Sequence, residues 1–215
     1  MPIGPTMSAT DIAQGIAPAR MFSTAPAIAN DRAIETMSAL KADNTHRGVW
    51  MRAALFAALF FFAMVGALLL ARLGLPASPI WIASAVLAWA LLGAAVRHWP
   101  VYVALTALAH AAGSRVIGVP PLAEAIYLFG DLAGALVLAA VMRWRGVTLA
   151  FDDRSETLRF LFIGGILAPG ASAAIVALGA AAGLYPLSVH SVSAFFLAQT
   201  LGFIVMLPLF RALAG

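Results

Sequence analysis

Six apolar runs, separated by short polar or proline- and glycine-containing breaks, organise the chain from residue 50 onward. They fall near 50–73, 78–96, 99–118, 121–142, 157–181 and 187–213, each close to the roughly 17–25 residues that a hydrocarbon core about 30 Å thick demands of a spanning helix. The pattern predicts an all-α fold, a polytopic integral membrane bundle of about six transmembrane helices. The third run is the weakest, because Arg115 near its end must extend toward the interface. A re-entrant hairpin of the second and third runs is the competing arrangement. Residues 1–48 differ in kind, being rich in Ala, Ser, Thr and Pro, with charges of both signs and prolines at 2, 5, 18 and 26. They predict a flexible cytoplasmic N-terminal tail, in which the weakly amphipathic piece 31–41 suits a short surface helix or a partner contact. Residues 49–215 form the transmembrane domain.

Composition agrees with this division. The chain is 63% hydrophobic and 10% charged, with a mean hydropathy of +0.96, whereas a soluble domain is about half apolar and a quarter charged. The net charge of +4 comes from basic residues scattered singly between the apolar runs, so it argues for topology signals and against a nucleic-acid partner. With the N-terminus inside, Arg20, Arg32, Lys41, Arg47, Arg52, Arg97, Arg143, Arg145, Arg154, Arg159 and Arg211 are cytoplasmic and only Arg72 and Arg115 face out. This asymmetry places both termini in the cytoplasm of a multi-pass membrane protein. Trp50, Trp99 and Trp144 then mark inner helix ends, and Trp81 and Tyr185 outer ends, as interfacial anchors. The N-terminus lacks the features of a cleaved secretory signal, so insertion is expected to use the first membrane helix.

Polar residues within the runs carry the chemistry. Asp131 has about ten apolar or small residues on either side, and a charge at that depth costs about 2.5–3.5 kcal/mol on insertion scales. A rise of about 1.5 Å per residue brings His110, Trp89, Pro169, Gln199 and Thr200 to the same level. Asp131, His110 and Gln199 either hydrogen-bond to one another and lock the bundle or line a small polar cavity that senses a ligand or a proton. Glu124, seven residues before Asp131, is placed to meet outer water or Arg115. A metal or haem site on His110 and His190 is disfavoured, because His190 lies near the outer end of its run and neither has a second ligand at i+3 or i+4. No cofactor is identified. Small residues mark packing faces: Gly130 and Gly134 around Asp131, Gly164, Gly165, Gly170 and Ser172 around Pro169, then Gly179 and Gly183. Pro169 and Pro208 are expected to bend their helices, as hinges or simple kinks. The chain has no cysteine, no phosphate-binding glycine loop, no H-E-x-x-H and no G-x-S-x-G, and no residue set argues for an enzyme.

Residues 78–210 resemble the type 1 membrane-associated sensor domain, an integral membrane input region found ahead of bacterial histidine kinases and diguanylate cyclases. The resemblance rests on Trp81 with Ala83, Ser84 and Ala85; Arg97-His-Trp-Pro100; Leu128-Phe-Gly-Asp131 with Met142-Arg143; Leu158-Arg-Phe-Leu161; Leu167-Ala-Pro-Gly-Ala-Ser-Ala173; and Leu201-Gly-Phe-Ile-Val-Met-Leu-Pro208. His110 and Asp131 stand where the family commonly has Asn, and Gln199 where an Asp is common. The family implies a non-catalytic sensory module that signals through helix packing, along the last helix, to a cytoplasmic or membrane partner. The chain ends four residues after Arg211 without a kinase or cyclase domain, so the output is expected in another polypeptide if the chain is complete. An accessory subunit of a larger membrane complex is the second reading, and a small-solute transporter subunit a third. The partners expected are the lipid bilayer and a protein, with a homodimer as one arrangement.

Overall fold

The computed structural model describes residues 48, 50–70, 80–184 and 188–214; the tail over 1–47, with its 31–41 piece, lies outside them, as do Arg72 and Tyr185. All regular structure among the described residues is helical. Helix α1 is Trp50–Leu70, α2 is Ile82–Gly93, and a 3-10 turn at Val96–His98 leads into α3, Trp99–Ile117. Helix α4 is Pro121–Arg145, α5 is Arg154–Phe162, a π turn covers Ile163–Leu167, α6 is Ala168–Ala181, and α7 is Val189–Leu213. The α5, π and α6 pieces form one continuous apolar helix, Arg154–Ala181, which with α1, α4 and α7 makes four helices long and apolar enough to cross a membrane. The fold is therefore a helical membrane bundle. Helix α3 has 19 residues, but Thr106, His110, Ser114 and Arg115 dilute its hydropathy below that of the four spans.

The contacts fix relative directions. Gly134 approaches Ala168 and Ser172, while Ile126 approaches Gly179, so α4 and α6 run antiparallel. Trp81 meets Gly202 and Trp89 meets Phe210, so α2 and α7 run parallel. Trp81 and Ser84 touch Asp131 whereas Leu91 and Leu92 touch Arg143, so α2 and α4 also run parallel. Phe56 packs on Tyr102 and Gly113 on Met64, which makes α1 and α3 parallel. The start of α1 and the end of α7 consequently share one end of the bundle with Arg52, Arg97, Arg143, Arg145, Arg154, Arg159 and Arg211. Arg115 lies at the other.

The second apolar run departs from its sequence reading. Instead of a span over 78–96, α2 has 12 residues, about 18 Å. Its start is fixed by α7: the Trp81 backbone N–H donates to the Ala198 carbonyl at 3.0 Å, and Gly202, one turn on, admits the Trp81 carbonyl at a distance no β-carbon would allow. Ala83 through Ala88 are all buried, as expected of a helix apolar on every side. Other expectations also shift. Helix α4 continues one turn past 142, through Arg145. Gly170 faces open space, and Gly183 has φ +68 just past the end of α6, so these two do not form packing faces. Among the described residues no ion pair joins Glu124 and Arg115.

Gly202→Ala is expected to cost about 1–3 kcal/mol, because the added carbon meets backbone and α2 has to move; Gly170→Ala, in open space, is expected to be neutral or to gain up to about 1 kcal/mol from helix propensity. Thermal unfolding of the two variants in detergent measures the contrast.

Candidate functional site

Asp131 is completely buried and accepts from three side chains on two other helices. Its Oδ1 receives Ser84 Oγ at 2.9 Å and Gln199 Nε2 at 2.7 Å, and its Oδ2 receives Trp81 Nε1 at 3.0 Å. Trp81, the residue just before α2, and Ser84 in its first turn, three residues apart, present their donors on one side of the helix start. The positive end of the α2 dipole is thus directed at the carboxylate. The opposite end of α2 is closed by the same helix α4. Arg143 Nη2 donates to the carbonyls of Leu91 at 3.3 Å and Leu92 at 2.8 Å, and also to that of Ala94, while Trp99 Nε1 donates to Leu91 O at 3.0 Å. Asp131 and Arg143 are 143 − 131 = 12 positions apart on α4, matching the 12 residues of α2.

Next to this junction lie polar atoms without partners. His110 Nε2 is 3.8 Å from Asp131 Oδ2, too far for a hydrogen bond, and neither imidazole nitrogen is otherwise engaged. The hydroxyls of Thr106 and Ser114 and the Oε1 of Gln199 are also buried and unpartnered. Thr106, His110 and Ser114 stand four residues apart along one face of α3, so they form a polar file about 12 Å long. Nearly all buried polar groups in folded proteins are hydrogen-bonded. Five such atoms, on three turns of α3 and on Gln199, are left without a protein partner, and ordered water is what usually satisfies groups of this kind.

The structure thus brings Asp131, His110 and Gln199 together, as their depth along the runs predicts, and separates Thr200 and Trp89 from them. Thr200 Oγ1 donates to the Gly165 carbonyl at 3.1 Å. That carbonyl lies four residues before Pro169, which has no N–H to return to it, and the π turn at Ile163–Leu167 takes up the change in register. Trp89 packs on Phe210, ring centroids 6.1 Å apart, and lines a groove with Arg52, Leu55 and Tyr102. A span over 78–96 would put Trp89 at the level of Asp131; α2 in fact begins at that level, and Trp89 lies eight residues beyond Trp81, about 12 Å. Trp81, read as an outer interfacial anchor, is instead 8% exposed. The spacing of Trp81 and Ser84 on one helical face, just after Pro79, is the signal that would have found them.

The packing residues divide similarly. Gly130 and Gly134 form the close face of α4, where Ser172 Oγ donates to the Gly130 carbonyl at 2.8 Å and a β-carbon at Gly134 would overlap that same hydroxyl. Pro169 is buried at the second position of α6, and Pro208 lies inside α7. His190, on the first turn of α7, is exposed. No protein-family model, curated protein or solved structure matches the chain.

Asp131→Asn keeps the shape but turns one acceptor into a donor facing Trp81, Ser84 or Gln199, at an expected cost of about 1–3 kcal/mol. Trp81→Phe should cost less when combined with Asp131→Asn than in the wild type, because it removes the opposed donor. A double-mutant cycle of detergent unfolding free energies reads the coupling.

Proposed function

We propose that the chain is a non-catalytic input module of a bacterial inner membrane, in which the polar region between α2, α3, α4 and α7 receives a small polar ligand or proton and passes the event on as a change in how α2 packs against α4 and α7. The observation that carries this reading is the set of unpartnered buried atoms on Thr106, His110, Ser114 and Gln199 beside the fully engaged Asp131. A lock of purely structural use would need only the three donors to Asp131. Helix α7 contributes Gln199 and the Ala198 carbonyl to the junction and ends at the arginine-rich end of the bundle, so displacement of α2 reaches that end directly. The resemblance to type 1 membrane-associated sensor domains supports the same assignment.

An accessory subunit of a membrane complex is the second reading. An apolar groove of about 790 Å³ between α4 and α6, lined by Leu122, Phe129, Leu136, Ile175 and Leu178, favours it. Purification in mild detergent separates the two: a stoichiometric partner protein supports the subunit, and a solitary chain removes it.

On the sensor reading, a small polar molecule detected by native mass spectrometry stays with the wild type and is retained about tenfold less by His110→Ala, equivalent to about 1.4 kcal/mol, while hydrogen exchange of the α2 amides rises in Asp131→Asn. A folded His110→Ala with unchanged bound molecules, together with unchanged α2 exchange in Asp131→Asn, sinks it. The arginine-rich end is assigned to the cytoplasm by the positive-inside rule. Because the chain has no cysteine, single introduced thiols report sidedness cleanly: Ser188→Cys should react with an impermeant maleimide on intact cells and Thr148→Cys only after lysis. The reverse pattern overturns the orientation.

A further inference from the structure

A cavity of about 580 Å³ opens where α4 ends and α5 begins, lined by Val141, Trp144, Arg145, Leu158, Arg159 and Phe162 among others. We infer that it binds an anionic phospholipid, with the phosphodiester held by Arg145 and Arg159 and an acyl chain laid on the apolar floor. Both arginines are exposed, and among the described residues neither forms an ion pair. Two acids of the connection between α4 and α5 are engaged by hydroxyls there. Glu156 accepts from the backbone and side chain of Thr148, and Asp153 accepts from Ser155 and feels Arg159 only through space. Two guanidinium groups without an ion-pair partner among the described residues therefore stand at one cavity, a geometry suited to phosphate.

The rest of the cavity has the character of lipid contact. Arg145 lies 4.5 Å over the Trp144 ring, and Trp144 is 77% exposed, an aromatic and cationic pair of the kind found at headgroup level. Leu158 and Phe162 are each 56% exposed along the spanning helix, so the cavity continues onto the lipid-facing surface. A free phosphate would satisfy only the arginines, whereas a phospholipid satisfies both halves. Basic pockets between membrane helices commonly recognise anionic headgroups in this way.

The test uses the full chain in mild detergent with mixed micelles of phosphatidylglycerol or phosphatidylcholine, bound lipid being counted by native mass spectrometry. Phosphatidylglycerol should be retained in preference to phosphatidylcholine, and Arg145→Gln and Arg159→Gln should each lower retention about fivefold, with Arg211→Gln, at the end of α7, unchanged. On the wild type, phosphatidylglycerol with brominated chains should quench tryptophan emission more than the brominated choline lipid does, and the difference should vanish in Trp144→Phe. Equal retention of the two lipids, a double arginine variant that binds like the wild type, or an equal loss in Arg211→Gln overturns the site. Complete displacement of the lipid by inorganic phosphate would also overturn it, by reducing it to a phosphate site.

Discussion

A helix of twelve residues that ends inside a bundle leaves backbone N–H groups at one end and carbonyls at the other, and hydrocarbon offers neither a partner. Helix α4 answers both ends of α2. Its Asp131 accepts from the side chains of Trp81 and Ser84 at the start of α2, whose Trp81 amide is taken by the Ala198 carbonyl, and its Arg143 reaches the last carbonyls. The spacing of acid and base along α4 equals the length of α2 because each residue of a helix adds the same rise. The carboxylate that looks costly by itself is thus one terminus of a longitudinal clamp, with the arginine at the water-facing end as the other.

The remaining helices are placed by what this clamp needs. Helix α7 must come close enough to supply Gln199 and the Ala198 carbonyl, and Gly202 provides the clearance. Helix α6 must sit against the adjoining face of α4, and Gly130, Gly134 and Ser172 let it do so. Pro169 would leave the Gly165 carbonyl short of its usual partner within that wall; the π turn and the hydroxyl of Thr200 compensate locally. Two residues with the look of a hinge and a ligand contact therefore serve to keep a proline inside a continuous helix.

Much of this was legible from residue order. Long apolar runs fix α1, α4, the α5 to α6 helix and α7, because length and hydropathy alone decide whether a segment suits a bilayer. The convergence of Asp131, His110 and Gln199 also follows from depth, since a regular helix converts position into height. What residue order concealed is α2. A run of apolar residues looks the same whether it faces lipid or is buried among other helices, so 78–96 reads as a span although its helix covers only Ile82–Gly93. That error carried Trp89 into the polar layer and Trp81 out of it. Arg143 was legible as a topology signal, but its reach back to Leu91 and Leu92 depends on a helix end that no pattern in the run announces.

The burial of α2 on every side also bears on how the protein is made. Synthesis proceeds from the N-terminus, so this helix leaves the ribosome before α4 and α7 exist to receive it. A segment about 18 Å long cannot hold a transbilayer position unaided, and the Trp81 amide, the Trp81 and Ser84 side chains and the last carbonyls lack their partners until Ala198, Asp131 and Arg143 have entered the membrane. The polar junction therefore needs residues from both halves of the chain, and it cannot be completed until α7 has been made.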